Sequence, residues 1–591
     1  MQPSFSYQRS PDQDAVVPRH HPVIVIGAGP VGLCTAIDLA QRGVPVVLLD
    51  EDTTVSTGSR AVCYAKRSLE ILDRLGCGDP VVERGVSWSR GRVFLRAHEI
   101  YNFDLLSESG HQRPAFVNLQ QCYLEAFLVS RALALPDLEL RWGQRVDALE
   151  SSEDQVTLTI STPDGPYTLT TDWLVACDGA RSTTRRLMGL ESRGQVFHDR
   201  FLIADVLMKA DYPTERWFWF DPPFHPGQSV LLHRQADNVW RVDFQLGWEA
   251  DPELERQPER VLPRLRAMMG ERDFELVWTS VYTFQCRRMD HFRQGRVLFA
   301  GDSAHQVSPF GARGANSGIQ DADALAWRLA AIVHRQASPQ VLDHWAMERE
   351  AAADENILNS TRSTDFITPK SAAARALRDA TLELAATLPF ARRLVNSGRL
   401  SVPSIADQSP ANTPDPPSTH ACAAPGMRPG APSLDAPITD AQGHAHWWLR
   451  ALSGPGFHLL VFDDDGTALT AAALAALARE QAGLGDAPQI HIHRMQPAHS
   501  PGYPSDTATA APGASHAEVG SAASTLAVWR DAQGLLRERC AARHATTLLL
   551  RPDQMVCARW RSFDALAIVE ALRRALGRPV QPATTAPGVP A

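Results

Sequence analysis

Apolar positions along this chain switch repeatedly between the continuous or alternating runs of a strand and the three-to-four-residue spacing of a helix. The earliest switch is the sharpest. Pro22 to Ile26 is an apolar run suited to a strand, Val31 to Gln41 has helical spacing, and Pro45 to Leu49 is a second strand ending at Asp50. Helical spacing returns over about Lys66 to Leu75 and in QCYLEAFLVSRAL from Gln121, whose apolar face includes Leu124, Phe127, Leu128 and Ala132. Short alternating runs fill Leu138 to Leu174, with Asp164 and Gly165 marking a hairpin turn. LVACDGARSTTRRLMG then gives a strand ending in Asp178 and Gly179, with Arg181 and Arg185 on the following turn.

From about Glu191 to Asp290 the pattern is strand-rich, with runs at Arg216 to Phe220, Ser229 to His233, Trp240 to Leu246 and Phe274 to Phe284. Trp217, Trp219, Trp240, Trp248 and Trp278 fall here, as a wall for a cavity or as core. Val297 to Ala300 predicts one more buried strand, followed by a glycine-rich turn, a helix from about Asn316 and helices through Ala386. Pro, Ser and Gly then thicken into a linker. Beyond it come a strand (His458 to Phe462), a helix (Ala471 to Gln481), strands (Gln489 to Arg494 and Thr525 to Arg530), the hairpin TLLLRPDQMVCARW and a helix from Phe563 to Leu576. Pro497 to Ser524 reads as a flexible insertion.

A chain of 591 residues exceeds one core and predicts two to four domains. Its net charge of −9 argues against nucleic acid or an anionic membrane as partner and favours small-molecule chemistry. The nine cysteines are scattered without CxxC, which predicts a reducing compartment, no disulfide framework and no structural metal. The first twenty residues lack the apolar core of a signal peptide, and no run approaches a membrane span, so a cytoplasmic location is expected.

Candidate chemistry gathers at the strand ends. Gly27, Gly29 and Gly32 stand in the spacing GxGxxG, with Pro30 and Val31 between the last two, in the strand–helix–strand context of a dinucleotide fingerprint. Asp50 suits a ribose hydroxyl, and its neighbours Glu51 and Asp52 would repel a 2′-phosphate. In RVLFAGDSAHQVSPFGARGANSG, Gly301 and Asp302 leave a carboxylate at a strand's carboxyl end, where open α/β sheets bind ligands. Gly311, Gly314 and Gly318 bring backbone close to something large, before a helix start that favours an anion. Arg60 is placed to sit over a phosphate or carboxylate, or to be solvated; Gln121 opens its helix.

Three motifs in one order, GAGPVGL with Asp50, CDGARSTTR and GDSAHQVSPFGARGANSG, resemble the FAD-dependent aromatic hydroxylases over roughly residues 22 to 400. VYTFQCRRMDHFRQGRVLFAGDSAHQ looks closest to the hydroxyphenylpropionate and phenol hydroxylase branch. The resemblance implies an α/β fold: a Rossmann-like FAD-binding domain of the p-hydroxybenzoate hydroxylase type, a β-sheet substrate domain and a C-terminal thioredoxin-like α/β domain. The boundaries expected are a flexible arm (1–20), FAD-binding segments (21–190 and 291–400), the β-rich domain (191–290), a linker (401–437), the thioredoxin-like domain without CxxC (438–577) and a loose tail (578–591).

By resemblance, Gly27, Gly29, Pro30, Val31 and Gly32 would hold the FAD pyrophosphate and Asp50, beside Glu51, the adenosine ribose. Arg60 and Gln121 would also contact FAD, and Asp178, Gly179 and Arg181 would serve FAD and the nicotinamide cofactor. Gly301 and Asp302 would bind the ribityl chain; Pro309, Gly314, Ala315 and Asn316 would border the isoalloxazine, with Arg313 at its pyrimidine edge. Tyr282, His305 and the Arg287–Arg288 pair are candidates to polarise a substrate hydroxyl, and each reads equally well as structural.

The implied reaction is hydroxylation of a small phenol by molecular oxygen through a flavin hydroperoxide, with NADH or NADPH as reductant and no metal. The resemblance leaves a homodimer open. Glu51 replaces the basic residue often found after the ribose acid, and the GARG turn departs from the propionate enzymes, which leaves the substrate unnamed. An oxidoreductase acting on a non-aromatic substrate and a catalytically decayed flavoprotein are the alternatives. A disulfide reductase would need a second GxGxxG and a redox cysteine pair, which the chain lacks.

Overall fold

The structure is a computed structural model that describes residues 4–56, 61–395, 400–415, 427–498 and 526–579. Arg60, nearly all of the expected insertion and most of the tail lie outside the described residues.

The apolar run at the N-terminus becomes the centre of a sheet. Arg19–Ile26 pairs in parallel with Val46–Asp50 on one side and Tyr167–Ala176 on the other. Leu138–Trp142 and Val297–Phe299 extend the two flanks, also in parallel. Val23, Ile24 and Val25 are fully buried, as strands covered on both faces must be. The helix Pro30–Gln41 makes the first crossover, and the expected hairpin at Asp164 and Gly165 joins Val156–Ser161 to Tyr167–Ala176.

The second sheet has eight strands in the order His305–Gln306, Glu275–Met289, Ser192–Leu207, Val239–Leu246, Ser229–Arg234, Arg216–Phe220, Arg90–Leu95 and His98–Asp104. Its last two strands come from far upstream of the expected 191–290 block, and Arg90–Leu95 joins Arg216–Phe220 in parallel. Three of the tryptophans are core rather than cavity wall. Trp219 and Trp240, with Trp217 against them, pack with Val261, Leu265 and Met269 of the helix Pro258–Met269 on one face. The opposite face carries Asp205, Arg241 and His233, all buried.

A third sheet of seven strands holds Phe457–Phe462, Ile490–Pro497 and Leu526–Asp531 in parallel, flanked by antiparallel strands that include Thr547–Leu550 and Val556–Trp560. The helices Ala471–Ala482 and Ala565–Ala575 cover one face, in good agreement with the periodicity.

By internal contacts the chain forms two compact units, drawn differently from the boundaries read off the sequence. Unit one is 1–109, 113–323 and 349–403; unit two is 110–112, 324–348 and 404–591. Within unit two, Trp327 is buried in the core of the third sheet and donates from Nε1 to Asp553 at 3.0 Å. Glu348 accepts from Arg328 at 2.8 Å and from Arg551 at 2.7 Å, which explains why this helical stretch groups with the C-terminal residues. Parts of the expected linker are packed: Ala411, Met427 and Ala431 are buried, and Asp415 accepts from Arg559 Nε at 2.8 Å. The expected arm also packs, Phe5 stacking on Trp142 with ring centroids 4.5 Å apart.

Candidate functional site

The parallel strands of the first sheet end level with one another, and the ladder runs one residue past each. The amide of Gly27 donates to Leu49 O (2.8 Å), that of Cys177 to Ile26 O (2.8 Å) and that of Ala300 to Ala176 O (3.1 Å). Gly27, Asp50, Asp178 and Gly301 are therefore brought to one edge, outside the carboxyl ends of adjacent strands.

The three fingerprint glycines have different tasks. Gly27 takes φ +99°, and a Cβ there would lie 2.5 Å from Cys177 O, so it lets two strand ends touch. A Cβ on Gly32 would lie 1.8 Å from Gly27 O, so it lets the helix pack on the turn. A Cβ on Gly29 would meet nothing within 4 Å. Gly29 is also the N-cap of Pro30–Gln41, and no side chain caps the helix, which leaves its start to be satisfied from outside. Val31 closes the turn from behind: a Cβ on Gly318 would lie 2.6 Å from Val31 Cγ2.

Asp50 accepts from the amides of Ala28 and Asp52. Burial pushes its carboxyl up to about 6; the two amides oppose this, and the charges of Asp52 and Glu51 add to it. Asp178 accepts from Thr184 N at 2.8 Å through one oxygen, while Oδ1 is shielded from solvent without a hydrogen-bond partner. Arg181, Asp302 and Pro309 are exposed. An uncapped helix start for an anion, an open glycine and an orphaned carboxylate oxygen are what a dinucleotide's pyrophosphate and hydroxyls satisfy, so these residues fit FAD.

His305 is placed as a brace. Its Nε2 lies 2.6 Å from Asp321 Oδ2, and Asp321 also accepts from Arg349 Nε (2.7 Å) and from the Gly301 amide (3.0 Å). Burial alone would raise the Asp321 carboxyl, but His305 and Arg349 outweigh it and hold it below the usual range. Asn316 likewise faces protein: Oδ1 accepts from Ala65 N (2.8 Å) and Nδ2 donates to Cys63 O (2.8 Å) and Ala312 O (2.6 Å). Arg313 is buried and donates to Asn356 Oδ1 at 3.1 Å. Gly314 and Ala315 open the helix Gly314–Val333. Tyr282 packs beside Phe201, Phe284 and Phe310. Arg288 is taken by Asp354, Nε to Oδ1 2.6 Å.

Residues the sequence reading passed over hold the turns in place. Arg185, there only a turn arginine, donates to Ser303 O (2.5 Å) and Ala180 O (2.9 Å), and Gln306 donates to Ala180 O (3.0 Å) and Asp302 O (3.2 Å). Both tie the Asp178 turn to the Gly301 turn. Glu125, buried, accepts from Ser56 and from Gln121 Nε2 (2.8 Å), while Gln121 Oε1 accepts from Ala61 N (3.1 Å). Only its place one helical turn after Gln121 hinted at this role for Glu125.

Among the described residues, Asp463, Asp465 and His544 have ligating atoms within 4.8 Å of one another, but Asp463 is already engaged by Arg494 and two amides. No helix among them is long and apolar enough to cross a membrane.

The family model described as the FAD binding domain matches residues 20–360. A 3-(3-hydroxy-phenyl)propionate/3-hydroxycinnamic acid hydroxylase of Mycolicibacterium smegmatis is 31% identical over 390 residues, 63% of this chain and 66% of the relative. A 6-methylpretetramide 4-monooxygenase of Streptomyces rimosus is 33% identical over 463 residues, 76% of this chain and 80% of the relative. The fold matches that of the flavin-dependent monooxygenase PieE, solved with FAD and substrate, over 95% of this chain and 100% of that one at 20% identity, with a TM-score of 0.76. It also matches p-nitrophenol 4-monooxygenase PnpA from Pseudomonas putida DLL-E4 over 66% of this chain and 100% of that one at 28% identity, with a TM-score of 0.59. The expected architecture holds, including a C-terminal α/β sheet of thioredoxin-like kind. An open glycine turn, a buried acid at a strand end and a ladder of strand ends thus converge with sequence and fold, and the chain belongs to the FAD-dependent aromatic hydroxylases, the FAD-binding monooxygenases.

Proposed function

We propose that this FAD-dependent monooxygenase hydroxylates a phenolic ring, taking electrons from NADH or NADPH and the oxygen atom from molecular oxygen. The observation that carries the reading is the edge at which Gly27, Asp50, Asp178 and Gly301 converge. Bound FAD supplies the electron transfer and oxygen activation.

The chain's residues supply the grip and the surroundings. The amides after Gly29 hold the pyrophosphate, aided by the positive end of the Pro30–Gln41 helix. Asp50, which already accepts from the Ala28 and Asp52 amides, would also accept from the adenosine ribose. Asp178 Oδ1 gains the partner it lacks, with Gly179 and Arg181 beside it, and Asp302, exposed at its strand end, meets the ribityl hydroxyls. Pro309, Gly314 and Ala315 border the ring system. Asn316, whose side chain is occupied, contributes backbone, and Arg313 places a buried cation in the same turn. The buried cluster of Phe201, Phe284 and Phe310 would keep water from the reacting ring.

Two relatives' names, the hydroxyphenylpropionate hydroxylase and a para-nitrophenol 4-monooxygenase of a Pseudomonas species, 32% identical over 340 residues, 55% of this chain and 82% of the relative, favour a phenol as substrate. The same reading expects the enzyme in the cytoplasm and leaves a homodimer open. The purified yellow protein, given NADH or NADPH and a panel of phenols, should consume oxygen faster with a substrate and yield a product one oxygen heavier. Oxidation of the nicotinamide that no phenol accelerates, with no hydroxylated product, would reject it.

A further inference from the structure

The inner face of the eight-stranded sheet carries polar side chains that the cofactor edge does not use. In the pairing register, Asp205, Arg241, His233 and Arg216 lie side by side across four adjacent strands. Side chains alternate faces along a strand, so the next row on this face is Ile203, Asp243, Leu231 and Phe218. Asp243 is a lone carboxylate in an apolar row.

Most of the polar row is satisfied. Arg241 donates to both oxygens of Asp205 at 2.8 Å, and Trp278 lies against its guanidinium, 5.5 Å from ring centre. His233 is 3.3 Å from Asn118 Nδ2 and 3.8 Å from Cys63 Sγ. Burial, and then Arg216 and Arg241, hold it neutral, well below the ordinary histidine value. Two groups are left over. Asp243 Oδ1 and Arg216 Nη1 are both shielded from solvent, and neither has a hydrogen-bond partner among the described residues.

A shielded carboxylate oxygen and a shielded guanidinium N–H are each costly until satisfied. The Ser229–Arg234 strand separates their strands and the two residues lie in neighbouring rows, so their backbones stand about 10 Å apart across the sheet and about 7 Å along it, a separation that two side chains and an aromatic ring with two polar substituents span. The face also adjoins the cofactor turn, because Asn316 Nδ2 donates to the carbonyl of Cys63, the residue whose sulfur neighbours His233.

We propose that Asp243 and Arg216 orient the substrate: Asp243 accepts a hydrogen bond from a ring hydroxyl, and Arg216 donates to a carboxylate or carbonyl on the same molecule. The ligand class is thus a hydroxylated aromatic acid or ketone, which rests on the hydroxylase reading above. Burial pushes the Asp243 carboxyl up to about 6; Arg241 and Arg216 oppose this, and Asp205 adds to it. Near neutral pH it is an acceptor.

The test is equilibrium binding to the FAD-loaded full-length chain, followed by the flavin difference spectrum. The probes are 3-(3-hydroxyphenyl)propionate, 3-phenylpropionate, which lacks the hydroxyl, and 3-ethylphenol, which lacks the carboxylate. Wild type should bind the first about tenfold or more tighter than either other, the scale of a charge-assisted hydrogen bond. Asp243→Asn should lose the hydroxyl preference and keep the carboxylate preference, and Arg216→Met should do the reverse. Retained FAD and an unchanged circular dichroism spectrum certify each variant, with Asp243→Ser and Arg216→Gln as replacements should one fail. No binding of any probe to wild type, no preference in wild type, or unchanged preferences in the variants would overturn the assignment. Hydroxylated product with unchanged preferences rejects the pair alone. The expected preferences without hydroxylation of any phenol reject the hydroxylase reading alone.

Discussion

Asp50 places two demands on one carboxyl that respond to pH in opposite directions. Its value in the fold is raised to about 6 chiefly by burial, so the fold prefers it neutral. Stability from this group is full below the unfolded carboxyl value and is lost as pH rises through about 6. A ribose hydroxyl donates best to the ionised form, so FAD binding should weaken as pH falls through the same value. Asp50→Asn should therefore raise the thermal stability of the apoprotein at pH 8, by on the order of 1 kcal/mol after screening. It should also weaken FAD by about tenfold or more and flatten the pH dependence of binding, for the loss of a hydrogen bond to a charged group. Melting curves of apoprotein and fluorescence titration with FAD check both halves. A variant that destabilises the apoprotein and leaves FAD affinity alone would remove Asp50 from the site.

The elements that carry the site differ in how far they show through the sequence. Strand, helix and strand from Pro22 to Asp50 were legible because an apolar run, a glycine turn and helical spacing each have a local cause, and the structure moves their ends by three residues or fewer. The strands Arg90–Leu95 and His98–Asp104 were not legible, since what makes Arg90–Leu95 a sheet member is its pairing with Arg216–Phe220, more than a hundred residues away. The inner polar row was hidden for a related reason. Asp205, Arg216, His233 and Arg241 each read as an ordinary polar residue, and only strand register sets them in line. His305 was visible as a candidate, but its partner Asp321 lies on the following helix and shows its purpose only once folded. Asp321→Asn should cost about 3–5 kcal/mol, because it leaves His305 and Arg349 in a buried site without their counter-charge. The carboxyl is held below its usual range, so this contribution is present above the unfolded carboxyl value and is lost as pH falls through the lower folded one. Denaturant unfolding of wild type and variant at pH 7 and pH 4 should show a gap that is larger at pH 7.

At the scale of the whole molecule, unit two is anchored by charge as well as by apolar packing. Glu348 is held down to about 2 against the pull of burial by Arg328 and Arg551, and Asp553 is lowered by the same two arginines. Arg551→Met should destabilise this unit by about 3–5 kcal/mol, leaving two buried carboxylates to one guanidinium. Hydrogen exchange should speed up in the strands Thr547–Leu550 and Val556–Trp560, whereas unchanged protection there would mean that apolar packing alone holds the unit. In unit one, the edge that fits the cofactor and the row that faces the ligand belong to separate sheets, which gives the fold a division of labour that selection can act on. Variation at Arg216, His233 and Asp243, with Asp205 and Arg241 exchanged only as a pair, changes what is recognised while the Gly27-to-Asp50 turn stays intact. A library randomised at those positions should stay yellow in most members yet scatter widely in the aromatic compounds its members accept, so that a new diet costs the lineage none of its redox machinery.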